Sequence, residues 1–223
     1  GPATGMVAAR KELRPYLPKP IVEYSEDKGY YLDFDLPKSC GKIKSFWGVA
    51  PVVVKAYSWI MALGADGLRE VSRVAILNNN YCMKKILQIK GASISYPHHP
   101  SRIEQARYSW QKMKEDTGFG TADVQRCIAD FGTHYWSSHE PWIIPEPFTI
   151  EPSESYSKTD IDDYVSVLGE ISRMCYEEPE AVKHAPVNST VHHIDHDYFD
   201  DPKKYAITWR AYNKKYKGYF EPK

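Results

Sequence analysis

Three glutamates stand close together in the run Pro-Glu-Pro-Phe-Thr-Ile-Glu-Pro-Ser-Glu, at positions 146, 151 and 154. A carboxylate at the end of a short strand, beside apolar Ile150, is partly desolvated. It therefore needs a partner or carries a raised pKa, and such a group can hold or move a proton. His134, two residues past Gly132, adds an imidazole to the same stretch. Each residue also has a structural reading. Glu151 and Glu154 could cap a helix starting near Ser157, and His134 could anchor a crossing loop through its ring nitrogens. Both readings are open for Glu146, Glu151, Glu154 and His134 at this point.

Histidines recur in Pro97-His98-His99-Pro100 and in Val191-His192-His193-Ile194-Asp195-His196-Asp197. Neighbouring imidazoles point in different directions in any regular structure, so His192 and His193 cannot share one ion without a special loop. His192, His193 and His196 are therefore weak metal candidates, and the plainer expectation is a solvated polar tail. Cys40, Cys82, Cys127 and Cys175 contain no CxxC pair, which points to small buried apolar residues rather than zinc ligands or disulfides. Lys55 and Lys84 are candidate amines by their position in the chain alone.

The elements that must position these groups are legible from spacing. Thr121, with Asp123 in the first turn and Val124, Cys127, Ile128 and Phe131 at helical intervals, predicts a helix ending at Gly132. Trp142-Ile143-Ile144 and Phe148-Thr149-Ile150, parted by Pro145-Glu146-Pro147, predict strand, bend, strand. Ser157 and Asp160 form a capping box before Ile161, Tyr164, Val165, Leu168, Ile171 and Met174. Earlier in the chain, a short helix within residues 7–17 ends at its prolines, and Ile21–Tyr24 with Tyr30–Phe34 predicts a β-hairpin. Two helices are expected over 52–63 and 68–87, separated by Gly64-Ala65-Asp66-Gly67. Ile94–Tyr96 predicts a further strand. Trp209, Tyr212, Tyr216 and Tyr219 recur at a helical interval that suits a packing face.

Composition narrows the function classes. The chain has 223 residues, 42% hydrophobic and 26% charged, enough to bury a real core. Its 29 basic and 29 acidic residues balance, leaving no electrostatic case for nucleic acid or an anionic membrane. Apolar runs are far shorter than a bilayer span and the first residues hold no signal pattern, so a cytoplasmic protein is expected.

The pattern TG-x-x-x-x-D-x-x-x-x-x-x-D-F-G-x-H, followed by P-x-I-I-P-E and I-E-P-S-E-S-x-S-K, resembles the C-terminal part of the P-protein of the glycine cleavage system. That family is the decarboxylating glycine dehydrogenases, which use pyridoxal phosphate. YLPKPIVEY, YYLDFDLPKS, ALGADGLREVSRVAILNNNY and HAP are similar to further blocks of it, in the same order. The resemblance implies an α/β fold: the small C-terminal α/β sandwich domain of a fold-type-I enzyme, plus the tail of its large domain. It further implies residues 1–44 as a remnant of the cofactor domain with loop, helix and hairpin, 45–91 as connecting helices, 92–182 as the small α/β domain, and 183–223 as a polar and aromatic tail.

Such chemistry needs a lysine to hold the cofactor, a carboxylate facing the pyridine nitrogen and an anion cradle for the phosphate. Gly1-Pro2 is what some cleaved tags leave behind, which would make Met6 the start. The resemblance instead reads Gly1 to Gly5 as the end of a glycine-rich loop that follows the cofactor lysine. On either reading the lysine-bearing segment is not among these residues, and pyridoxal phosphate is expected only if a partner chain completes the site. A lipoyl carrier protein is the other partner implied, with no nucleic acid and no membrane.

The departures from the family's pattern cluster at positions that the resemblance places near substrate or carrier. An aromatic-Gly-Asn-Phe-Gly segment is here Phe46-Trp47-Gly48-Val49-Ala50-Pro51. An Arg-Met-His-Glu-Phe strand corresponds to Arg102-Ile103-Glu104-Gln105-Ala106, and Thr-x-Tyr-Phe-Pro to Ser137-Ser138-His139-Glu140-Pro141. Gly1, Gly5, Gly48, His134, Ser137, Glu146, Glu151 and Glu154 are the resulting cofactor- or substrate-proximal candidates, with no catalytic residue assigned within the chain. Two functions remain: a C-terminal portion or subunit of a glycine or related amino-acid decarboxylase, inactive alone, or a stand-alone binding or regulatory module derived from one.

Overall fold

A computed structural model describes residues 4–5, 7–43, 49–135, 143–190, 192 and 213. The chain divides into two compact units, Gly1–Glu70 and Val71–Lys223.

In the first unit the early helix is a 3-10 turn, Lys11–Tyr16, rather than an α-helix. Pro15 inside it has no N–H to donate, which keeps the turn short. Strands β1 (Ile21–Ser25) and β2 (Gly29–Asp33) pair antiparallel with Val22 opposite Leu32 and Tyr24 opposite Tyr30. Gly29, at φ 64°, completes the connection in the left-handed region. On one face of the ribbon the Arg14 guanidinium donates to Glu23 and Asp33, tying the 3-10 turn to both strands. Among the described residues of this unit only Leu36 is buried.

Helix α1 (Ala50–Ile86) is broken where two helices were expected, but at a single residue, Gly64, whose backbone lies at φ 63° and ψ −174°. Ala65, Asp66 and Gly67 are helical, so the break is tighter than the expected four-residue turn.

The second unit is built on an antiparallel sheet in the order β3 (Ser93–Ile94), β4 (Ala106–Ser109), β5 (Pro147–Ile150). The central strand begins only at Ala106, the last residue of the Arg102–Ala106 segment where the resemblance placed a strand. Arg102 instead closes the β3–β4 loop, donating to the carbonyls of Ser95, Tyr96, His99 and Ser101. The strand expected at Trp142–Ile144 is replaced over 143–146 by a turn with Ile143 exposed, while Trp142 lies outside the described residues. Helix α2 (Gln111–Thr117), mostly charged with Met113 its one buried residue, was not foreshadowed by an apolar stripe. Helix α3 (Thr121–Cys127) runs into a 3-10 turn, Ile128–Phe131, and is followed in sequence by β5, α4 (Lys158–Glu177) and α5 (Pro179–His184).

Helix α4 forms as its sequence dictates. Ser157 Oγ accepts from Asp160 N at 3.1 Å, and Asp160 Oδ2 accepts from Ser157 N at 2.8 Å. Ile161, Val165, Leu168, Ile171 and Cys175 then form one buried stripe. The stripe belongs to a core that also takes Cys82, Met83 and Ile86 of α1, the strand residues Tyr108, Phe148 and Ile150, and Val124 and Cys127 of α3. Phe148 stacks between Trp110 at 4.7 Å and Tyr108 at 5.0 Å. Gly91 brings the chain past Met113 closely enough that a Cβ would sit 2.7 Å from that side chain. Cys82, Cys127 and Cys175 are buried as expected, whereas Cys40 is exposed. Among the described residues, no helix is long and apolar enough to cross a membrane.

The C-terminal half of α1 is clamped to α4 by a polar knot. Asp162 accepts from the Tyr81 phenol at 2.6 Å and from the ammonium groups of Lys85 and Lys158, each at 2.5 Å. Lys158, then Lys85 and Tyr81, hold its carboxyl well below the usual carboxylate range. A depressed folded-state pKa contributes stability above the unfolded value of about 4, and that contribution is lost as pH falls through the lower folded value. Asp162→Asn is therefore expected to be less stable than wild type at neutral pH, with the gap closing as urea titrations are repeated below about pH 4.

Candidate functional site

The second unit carries a cleft of about 530 Å³. Cys82, Ile150, Ile161 and Val167 supply its apolar lining, Pro152 and Tyr156 one wall, Phe131 to His134 another, and Asp160, Asp163 and Tyr164 of α4 its polar side. Its volume is that of a small-molecule pocket, and its lining, apolar with a few polar groups, suits a ligand with an apolar body.

Local structure explains why these residues meet. Gly132, at φ 66°, turns the chain out of the 3-10 segment toward His134. The chain is fixed on both sides of the imidazole. Asp130 accepts from the backbone N–H groups of Val187 and Asn188 at 2.6 to 2.9 Å, and buried Tyr135 accepts from the Trp110 indole at 3.3 Å. His134 itself is exposed at the cleft wall. The opposite wall is stapled from α1, where Asn78 Nδ2 donates at 2.9 Å to the carbonyls of both Ser153 and Tyr156. Two residues on, Asn80 exchanges two bonds with the Arg102 backbone. Asn79, between them, is fully buried with neither amide atom bonded.

The electrostatics are modest. Burial pushes the Cys82 thiol up to about 12, so it lines the cleft as a neutral, unreactive group. Burial also raises the Tyr156 phenol, with a smaller push from Asp160. The Ser157 hydroxyl and backbone N–H hold the Asp160 carboxyl down, so it is a carboxylate at neutral pH.

The candidate glutamates do not assemble in the cleft. Glu146, at φ 44°, turns inward and its Oε2 accepts from Thr121 N at 2.7 Å, capping α3. Its carbonyl accepts from Trp110 N at 2.9 Å. The fit requires Gly120, because a Cβ there would lie 2.0 Å from Glu146 Oε2. Glu151 and Glu154 are half-buried beside Pro152, and α4 is capped by Ser157 and Asp160 rather than by them. Gly5 is exposed in the first unit. His192 Nδ1 lies 3.0 Å from the Pro186 carbonyl, and among the described residues no cluster of His, Cys, Asp or Glu could hold a metal ion. Gly1, Gly48, Ser137, His193, His196 and the aromatic positions 209, 212, 216 and 219 lie outside the described residues. Tyr156, Tyr164 and Asp163 were not foreseen as cleft residues; only their place on or before α4 was visible.

The family model for the glycine dehydrogenase C-terminal domain matches residues 71–196, more than half of the chain. The chain belongs to this family. The probable glycine dehydrogenase (decarboxylating) subunit 2 of Pyrococcus abyssi is 41% identical over 215 residues, covering 96% of this chain and 42% of that protein. The protein of the same name from Thermotoga maritima is 36% identical over 211 residues, covering 95% of this chain and 43% of that protein. The chain thus spans about two fifths of the length of the curated relatives it matches. A crystal structure of glycine decarboxylase, the P-protein of the glycine cleavage system, in inhibitor-bound form aligns with TM-score 0.58 at 18% identity, covering 74% of this chain and 38% of that one. This likeness shows the shared α/β fold.

Pyridoxal phosphate, implied by the sequence resemblance, finds no fitting anchor in the described lining of this cleft. No lysine is among the cleft's lining residues. Lys85 and Lys158 are engaged with Asp162, and Lys55 and Lys84 are exposed.

The Glu146 cap is directly testable. Glu146→Ala and Gly120→Ala should each cost roughly 1 kcal/mol, the usual value of a helix cap, read from urea midpoints. The double variant should cost little more than either single one, because both remove the same bond.

Proposed function

We propose that this chain is the C-terminal part of a pyridoxal-phosphate-dependent decarboxylating glycine dehydrogenase whose cofactor lysine comes from another polypeptide segment. The observation that carries this reading is similarity to the Pyrococcus abyssi protein over 96% of the chain, joined to a cleft whose described lining has no lysine. The reaction class is loss of carbon dioxide from glycine, with transfer of the remaining aminomethyl group to a lipoyl carrier protein. The partners are thus the lysine-bearing chain and that carrier, and the compartment is the cytoplasm.

In this reading the chain contributes a wall to the site rather than its reacting group. His134 presents an imidazole from a loop fixed at Asp130 and Tyr135, so it can orient a substrate group or hold a proton with little conformational loss. Tyr156 and Tyr164 line the same cleft, and the apolar lining excludes water from the part of a ligand that lies against it. That Gly1, Gly5, Gly48, Ser137, Glu151 and Glu154 lie near the cofactor or substrate belongs to the same proposal.

A second reading, a non-catalytic binding or regulatory module, is favoured by one observation. Where the family pattern has Arg-Met-His-Glu-Phe, this chain has a loop whose Arg102 is consumed by four backbone carbonyls, with Glu104 and Gln105 in place of the His and Glu.

Absorbance titration with pyridoxal phosphate separates the two. The chain alone should give no saturable visible band. Joined to, or mixed with, its lysine-bearing segment it should give one, together with carbon dioxide release from glycine. A folded assembly with no band would support the non-catalytic module. In the active assembly His134→Gln should lower kcat by about 10²-fold, the usual contribution of a positioned acid or base. The urea midpoint should be unchanged, since the ring is exposed.

A further inference from the structure

The described residues of the first unit fold without a core of their own. Among them only Leu36 is buried, while the entire buried apolar cluster belongs to the second unit. Ordering a residue costs roughly 1–2 kcal/mol of backbone entropy, and a segment of this length offsets that only by removing large side chains from water.

The side chains that should do so are present and face solvent. Between Ala50 and Leu63 the only charged residue is Lys55. Val53, Tyr57, Ile60 and Met61 share one face of that helix and are all exposed. A helix apolar over most of its circumference is one that is buried in the working protein. The hairpin repeats the pattern independently: the cross-strand pairs Val22–Leu32 and Tyr24–Tyr30 lie on one face, with Tyr30 80% exposed. Arg14 binds Glu23 and Asp33 on the other face, leaving this one apolar and unpartnered.

We infer that the helix stripe Val53/Tyr57/Ile60/Met61 and the hairpin face Val22/Tyr24/Tyr30/Leu32 are half of an interdomain core, completed by the polypeptide that corresponds to the rest of the glycine dehydrogenase relatives. The choice of occupant follows from where the similarities fall. The C-terminal domain model begins at residue 71, where the second unit begins, so the first unit lies outside it. Yet the relatives match 96% of this chain while only 42% of their own length is used. The first unit is therefore similar to a part of those proteins other than their C-terminal domain, and the remaining three fifths of their length is the cover of matching origin. The inference rests on the proposed function for its occupant but not for the exposed faces.

Hydrogen exchange read by mass spectrometry tests it. The 223-residue chain is compared with a fusion in which it replaces the matching two fifths of the Pyrococcus abyssi protein. In the chain alone, amides of 21–33 and 50–63 should exchange much faster than those of α4. In the fusion the same two segments should slow by about 100-fold or more, as in buried elements. Val53→Asp with Ile60→Asp should abolish that slowing and leave α4 protected.

Full protection of 50–63 in the monomeric chain alone would overturn the inference. So would protection that rises with protein concentration as a dimer forms, which would make a second copy the occupant, and so would unprotected segments in a fusion whose α4 is protected. Should the fusion not fold, the double aspartate variant of the chain alone decides: unchanged helical signal with higher solubility supports a solvent-facing stripe, and loss of helix contradicts it. The two proposals fail separately. Slowing without cofactor uptake sinks the enzymatic reading, and uptake without slowing sinks the interface.

Discussion

Burial of Phe148 between Tyr108 and Trp110 is the interaction on which the second unit depends. The stack sits where β4 and β5 pair, so it fixes the register Tyr108–Phe148 and with it the position of Ile150 and the turn that follows. Trp110 passes the constraint outward through its indole bond to Tyr135, next to His134. Its backbone N–H holds the carbonyl of Glu146, whose carboxylate caps α3. The cleft is thus a consequence of a packed aromatic core rather than of a dedicated binding loop. A side chain of Phe148's size, fully buried, is worth roughly 3–5 kcal/mol on truncation, more than any single polar contact around the cleft.

The polar groups in this domain mostly position backbone. Asn78 and Asn80 hold loops, Asp130 holds the segment after Pro186, Arg102 closes the β3–β4 loop, and Glu146 caps a helix. Residues that stand out in a family pattern can therefore be there for the fold. His134 differs from them: its neighbours are anchored while its ring stays open to the cleft.

How much of this could be read in advance depended on the range of the interactions. Helix α4 was legible because its capping box and apolar stripe are local, and the hairpin because alternation and a glycine-ended connection are local too. The break in α1 was legible because Gly64 interrupts a long apolar period, although the break itself is one residue rather than four. Strand β4 was not, since Ala-Arg-Tyr-Ser becomes a central strand only through partners in β3 and β5 that lie far away in sequence. The Glu146 cap was hidden for the same reason, because it joins residues 25 positions apart and needs the missing Cβ of Gly120. Helix α2 buries too few residues to show a stripe. The cleft was half visible: His134 could be singled out by its place in the family pattern, but Tyr156 and Tyr164 are cleft residues only because Asn78 and the α4 packing bring them there.

The central claim is that a glycine dehydrogenase C-terminal domain shapes the site while another segment holds the cofactor. The most direct measurement is to assemble the complete enzyme, reduce it with borohydride in the presence of pyridoxal phosphate, and map the modified lysine by peptide mass spectrometry. The account predicts a single modified lysine outside residues 1–223. Stoichiometric labelling of a lysine within this chain, Lys55 and Lys84 included, would contradict it.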